Sequence, residues 1–406
     1  MSPVDNAFIL ICAALVFFMT PGLALFYGGL VRSKNVLSTV MHSFFMMGLA
    51  SVLWAVVGYS LSFGSDVGGF IGGLDYLFLN NVGIGPMEAG GNLSHLAFMI
   101  FQCMFAIITP ALISGAYAER ITFGGYVLFS SLWLLCVYAP MCHMVWGGGL
   151  LGQMGALDFA GGAVVHMSSG AAALVCALML GKRRGYGREA YIPHNLPMTV
   201  LGAGVLWFGW FGFNAGSALA ADGIAVNAFV TTHMATAAAV VTWIAAEWLH
   251  SGRPTTLGAA SGAVAGLVAI TPAAGFVEPW AALIIGGVGG VLCYGGIMLK
   301  NRFGYDDALD VVGIHGLGGT WGALATGLFA SGIVEFDGVP QLGLFYGNPE
   351  QLWIQFLSVV ITWGFCLAAS AVLFKIVDVL VGMRADDEQE VKGLDVTLHS
   401  ETGYQL

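Results

Sequence analysis

The chain has 406 residues, 58% of them hydrophobic and only 9% charged, with a formal net charge of -10 and a mean hydropathy of +0.84. A soluble domain carries about 25% charged residues, so the composition excludes a soluble globular protein and describes a polytopic membrane protein. The acidic balance argues against nucleic acid as a partner, and the 60 glycines suit helices that pack closely inside a bilayer.

A helix needs about 20 apolar residues to cross the hydrocarbon core. Eleven segments fit that measure: 6–31, 36–62, 94–117, 122–145, 158–181, 196–217, 224–250, 255–272, 280–299, 309–332 and 351–381. The eighth is the shortest and is compatible with a tilted or partly re-entrant course. Basic residues follow alternate segments: Arg32 and Lys34, then Arg120, then Lys182, Arg183, Arg184 and Arg188, then Arg253, then Lys300 and Arg302, and finally Lys375, Arg384 and Lys392. These are all 13 lysines and arginines, and the other loops hold none. The positive-inside rule then places the N-terminus outside and the C-terminus in the cytoplasm. The expected fold class is an all-α polytopic membrane protein of eleven transmembrane helices, with a transmembrane domain over 1–382 and a cytoplasmic tail over 383–406.

The loops opposite the basic residues are acidic. Asp66, Asp75 and Glu88 lie in 63–93, and Glu335, Asp337 and Glu350 in 333–350. They fit ordinary solvation of loops, or a raised local cation concentration. The tail is polar without an apolar period and is expected to stay flexible until something binds it. No signal peptide is recognised before the first span. The seven cysteines, Cys12, Cys103, Cys136, Cys142, Cys176, Cys293 and Cys366, form no CxxC pair and fit small buried hydrophobes.

Segment five opens on Asp158 and carries His166, whereas segment ten opens on Asp310 and carries His315. Five spans separate the two, so segments 1–5 and 6–10 run in opposite directions. That is the shape of an inverted repeat (about 6–181 and 196–332) with a site between the halves. Titratable groups at such depth are costly unless they are satisfied or line a cavity. Glycine and other small residues surround both histidines, so a shared hydrogen bond facing a narrow pore is expected. A metal site is the rival, but no regularly spaced cysteine or carboxylate ligand stands nearby. His42, His95, His143 and His233 are expected to be hydrogen-bonded to neighbouring helices. Asp158 and Asp310 are expected to cap their helices. For Asp158, orientation of a cation at the entrance is the alternative.

Aromatic residues gather where three segments reach one face: Phe101–Phe105 in FQCMF, Trp146 in HMVWGGG, and Phe213 with Ser217 in WFGFNAGSA. A Trp face holds a small cation by about 0.5–2 kcal/mol, and a hydroxyl accepts one of its hydrogen bonds. The cluster reads as a recruitment site above a hydrophobic gate, or as core packing.

At these residues the sequence resembles the Amt/Mep/Rh family, and most closely bacterial ammonium transporters of the Amt type. DFAGGAVVHMSSGAAALVCALMLGKR, PHNLPM, GWFGFNAGSA, SGAVAGLVAITPA, the Asp310-to-Gly316 run and DDEQEVKGLDV occur together and in the family's order. The resemblance implies ammonium recruitment at Phe105, Trp146 and Ser217, a stacked gate of Phe105 and Phe213, and a twin-histidine pore of His166 and His315. Asp158 would support the entrance, and Phe101 and Thr271 match pore-mouth or lining positions less closely. It further implies a homotrimer in the bacterial cytoplasmic membrane, transport rather than enzymatic catalysis, no cofactor, and a trimeric PII-type regulator on the cytoplasmic face and tail. Ammonium sensing and neutral-gas conduction, as in the Rh branch, are the alternatives. A sensor would carry a further cytoplasmic signalling domain, for which the tail 383–406 leaves little room.

Overall fold

The computed structural model describes residues 1–87 and 92–404. Glu88, one of the loop acids, lies outside the described residues. Helices occupy each of the eleven expected segments: α1 (Pro3–Leu30), α2 (Ser33–Phe63), α3 (His95–Tyr117), α4 (123–146), α5 (Gly162–Leu180), α6 (Leu196–Gly216), α7 (Gly223–Ser251), α8 (Thr256–Ile270), α9 (Pro279–Phe303), α10 (312–329) and α11 (Pro349–Val381). Among the described residues nine of these, all but α8 and α10, are long and apolar enough to cross a membrane.

Local chemistry sets many of the ends. Ser2, Thr122, Asn195, Asp222 and Thr255 each accept a hydrogen bond from a backbone N–H in the first turn of the helix that follows, relieving donors that the helix leaves unpaired. Gly252 and Gly304 end α7 and α9 with φ of 76° and 68°, where a side chain would strain the backbone.

Small residues decide which helices meet. α1 runs along α6, and a Cβ added at Gly202 would stand 2.3 Å from the Phe26 nitrogen. One added at Gly209 would stand 2.3 Å from Met19. α5 and α10 cross at another such point: a Cβ on Gly170 would lie 2.4 Å from the Gly316 Cα. Lipid tails are as apolar as leucine, so close backbone approach, rather than hydrophobic exclusion, drives these contacts.

At the end of the bundle that carries the basic residues, Arg32, Arg183, Lys300 and Arg384 pair with buried or half-buried carboxylates. Arg183 bonds Glu119 (2.9 Å) and Asp306 (2.8 Å), and Glu119 also binds Arg32 and Asn35. Burial pushes the Glu119 carboxyl up, but Arg183 and Arg32 outweigh it and hold the group below its ordinary value. Asp306 is held low in the same way by Arg183 and Arg120.

Two expectations need correction. The tail is ordered: α12 (Asp387–Lys392) and α13 (Leu394–His399) dock on the basic end. The Asp395 carboxylate accepts from the Leu37 and Ser38 amides, Lys34 donates to the Glu390 and Val391 carbonyls, and Arg384 donates to the Leu180 and Lys182 carbonyls. Polar anchors onto backbone groups replace the apolar period that the tail lacks. The opposite loops carry two short antiparallel pairs, β1 (Asp66–Val67) with β2 (Ile71–Gly72) and β3 (Ser331–Phe336) with β4 (Val339–Leu342). Six cysteines are buried, but Cys136 is exposed on the outside of α4.

Candidate functional site

The irregular stretch before α5 is organised by one carboxylate. Asp158 Oδ1 accepts from the Gly161 and Gly162 amides at 2.9 and 2.6 Å, and Oδ2 from Ala163 and Val164 at 2.8 and 3.3 Å. All its near partners are donors from the start of α5, so it caps that helix. Gly161 has φ of 117°, which disfavours any side chain there. The Asp158 carbonyl accepts from Trp146 Nε1 at 2.9 Å. The same turn that starts α5 therefore also pins the indole.

That indole walls a cavity of about 270 Å³, lined by Phe98, Gln102, Phe105, Trp146, Phe159 and Ser217 among others. Phe105 meets Trp146 edge-on, with centroids 5.9 Å apart. Ser217 Oγ donates to the Phe213 carbonyl at 2.9 Å, which leaves its lone pairs open toward the cavity. The Phe105 ring, on the cavity wall, packs against Phe213 with centroids 4.4 Å apart at 39°. On the far side of Phe213 lies a small apolar cavity of about 10 Å³ lined by Phe213, Trp210, Val165, His166, His315, Tyr27 and other residues.

The two histidines meet at the wall of this small cavity. His166 Nδ1 and His315 Nδ1 are 3.2 Å apart, and both side chains are buried. Each sits in a π-helical turn, Gly162–Met167 and Val312–Gly316, that opens α5 and α10 respectively. The Gly170–Gly316 crossing lies within one turn of both rings. Gly319 makes room as well, since a Cβ there would stand 2.9 Å from His166 Cβ. Trp210 stacks on the His166 ring (5.4 Å, 24°) and donates to Thr271 Oγ1, which donates on to the Leu267 carbonyl. In a hydrogen bond between two Nδ1 atoms one donates and the other accepts. His166 Nε2 has no hydrogen-bond partner. Among the described residues no cluster of three metal-ligating side chains forms.

Phe105, Trp146 and Ser217 thus share one cavity, Phe105 packs on Phe213 at its wall, and His166 and His315 meet on the far side of Phe213. Phe101 and Thr271 stand one layer back, Phe101 against the Phe105 ring and Thr271 against Trp210. Asp310 does not cap α10. Asp307, three residues earlier, accepts from the Val312 amide, while Asp310, at φ of 63°, pairs with Lys300. Of the remaining histidines, His95 bonds Tyr59 at 2.6 Å, and His143 bridges the Ser62 carbonyl and Asp66. His42 departs from expectation, since its buried Nδ1 has no partner and its ring packs on Tyr117 and Tyr126. His233 is exposed and lies against Trp207 and Phe211.

Sequence reasoning missed Gln102, Trp210 and Asp307. A signal existed for Gln102: Phe98, Gln102 and Phe105 follow at i, i+4 and i+7, so they share one face of α3.

Residues 7–404 match the Ammonium Transporter Family. An ammonium transporter of Bacillus subtilis (strain 168) is 53% identical over 402 residues, which is 99% of this chain and 98% of the relative. The crystal structure of Saccharomyces cerevisiae Mep2 superposes with a TM-score of 0.89 at 34% identity, covering 96% of this chain and 88% of that one. A solved structure named Sensor Amt Protein gives 0.89 at 29% identity, covering 98% of each. The chain belongs to the ammonium transporter family.

Proposed function

We propose that this protein is a multi-pass membrane transporter that recruits ammonium in the aromatic cavity, removes a proton, and conducts ammonia past the Phe105–Phe213 gate and the two histidines. The observation that carries this reading is the 3.2 Å approach of His166 and His315 at the wall of a small apolar cavity on the far side of Phe213. Ammonium resembles a lysine head group, with an amine pKa of about 10, and a naked cation in hydrocarbon is prohibitively costly. The lining of that small cavity includes no carboxylate to pair it. Neutral ammonia both donates and accepts hydrogen bonds and suits a pair of imidazoles. Potassium has no proton to give up and is refused. The histidine pair is also the natural path for a proton, and currents across a lipid membrane distinguish transport of ammonia with its proton from neutral-gas conduction.

In this proposal the eleven helices cross the bacterial cytoplasmic membrane with the N-terminus outside. The halves α1–α5 and α6–α10 form an inverted repeat, supported by the α1–α6 and α5–α10 contacts and by the matching π-helical turns. The protein assembles as a homotrimer, and its basic end with the docked tail receives a PII-type regulator. Removing residues 384–406 should weaken that regulator's binding. The test of the site is methylammonium uptake by proteoliposomes carrying wild type, Trp146→Leu, His166→Ala or His315→Ala. Each variant is expected to differ from wild type; wild-type uptake by all three would sink the site assignment.

A further inference from the structure

The polar groups in the outer cavity are few, and one of them has no partner. Gln102 lies on the stripe between Phe98 and Phe105, is 8% exposed, and its Oε1 has no hydrogen-bond donor. Leaving a buried amide oxygen unpaired is costly, so such a group calls for an explanation. The other polar side chains on the cavity wall are accounted for: Trp146 Nε1 is committed to the Asp158 carbonyl, and Ser217 Oγ has spent its proton on the Phe213 carbonyl. The wall offers a cation Ser217 Oγ as it stands, and Gln102 Oε1, itself buried, once the carboxamide turns. The oxygen and nitrogen of a carboxamide exchange places by a half-turn of its terminal torsion, so the oxygen reaches the cavity with no movement of α3.

We infer that Gln102 is a specificity-determining residue of the recruitment site, its Oε1 accepting a hydrogen bond from a cation that carries N–H donors and rests on the Trp146 and Phe105 rings. The inference rests on the proposed recruitment role of the cavity and extends it. Aromatic faces attract any small cation and do not count its protons. Acceptor oxygens placed at hydrogen-bond directions do count them. Gln102 supplies such an acceptor without a carboxylate, whose full charge would hold the cation in place and oppose its release toward the gate. A trapped water would also satisfy Oε1, but it would leave affinity unchanged when the amide is removed.

The test is the half-saturating ammonium concentration for uptake by proteoliposomes carrying wild type, Gln102→Leu, Gln102→Glu or Trp146→Leu, with thermal unfolding of each protein in detergent. Gln102→Leu is expected to raise half-saturation about tenfold, the scale of one hydrogen bond to a charged group, with maximal uptake and unfolding temperature kept. Gln102→Glu is expected to lower half-saturation and to slow maximal uptake. If Gln102→Leu saturates like wild type, or lowers maximal uptake and unfolding temperature together at unchanged half-saturation, the inference is overturned. If Gln102→Leu does not fold, Gln102→Glu decides: unchanged or raised half-saturation refutes the role. Trp146→Leu separates the two levels. Wild-type affinity in that variant as well defeats the cavity's recruitment role, whereas a loss confined to Trp146→Leu defeats only the role of Gln102.

Discussion

The basic end of the bundle and its aromatic cavity, with the small cavity beyond Phe213, treat buried polar groups in opposite ways. At the basic end Arg183 reaches Glu119 and Asp306 at once, and Glu119 is shared further with Arg32 and Asn35. Around the two cavities the polar groups are sparse, and Gln102 Oε1 and His166 Nε2 are left without partners. A fully satisfied network fixes one arrangement. Unpaired groups in an otherwise apolar passage fit a molecule that arrives with its own donors and acceptors. The first region holds helix ends and tail together, and the second keeps vacant hydrogen-bonding capacity where the proposed function would place the substrate.

This contrast predicts that substitutions at the basic end act on stability and those in the passage act on transport. The largest effect is expected from Arg183→Ala, which leaves Glu119 and Asp306 buried with fewer partners. Breaking a buried pair costs about 3–5 kcal/mol, so thermal unfolding in detergent should drop by many degrees. An unfolding temperature like wild type would show that the network is not what holds this end.

Asp307, beside Asp306 and near Lys300, is an exception at the basic end. Burial, only partly offset by Lys300, pushes its carboxyl from 3.8 up to about 6, and its Oδ1 has no donor. A raised carboxyl pKa means that the charged form is disfavoured in the folded state. The cost is therefore full above about pH 6 and fades as pH falls toward 3.8. Asp307→Asn keeps an acceptor for the Val312 amide and should stabilise the protein at pH 7.5 by about 1–3 kcal/mol, with little change near pH 4. Equal effects at both pH values would contradict the assignment. Glu119 and Asp306 have lowered values and contribute in the opposite direction, losing stability as pH falls below the ordinary carboxylate range.

The smallest expected stability effect is at the cavity rim. Asp158→Ala removes a cap, worth about 0.5–2 kcal/mol, and frees the turn whose carbonyl holds Trp146. Uptake should fall by more than the modest change in unfolding temperature suggests, and comparing the two measurements on one preparation checks it. A purely structural role would lower both in proportion.

Much of this was legible in the sequence, for identifiable reasons. Hydropathy placed the helices because each span must bury its backbone internally. Small residues around His166 and His315 announced a close crossing, and the structure puts the rings 3.2 Å apart. The docked tail was not legible, since Lys34 and Arg384 bind backbone carbonyls, which carry no side-chain signature. Asp310 and Asp307 exchanged roles because both stand near the start of α10 and only the left-handed backbone at Asp310 decides between them. Gln102 was overlooked because one amide in an apolar helix looks the same in sequence whether it is paired or waiting for a ligand.

The central claim is that a proton must leave the substrate before it can pass the gate. Its most direct test is uptake by wild-type proteoliposomes under equal inward gradients of ammonium and of potassium. Ammonium uptake is expected, with no potassium uptake above that of protein-free liposomes. Potassium flux equal to ammonium flux would contradict it.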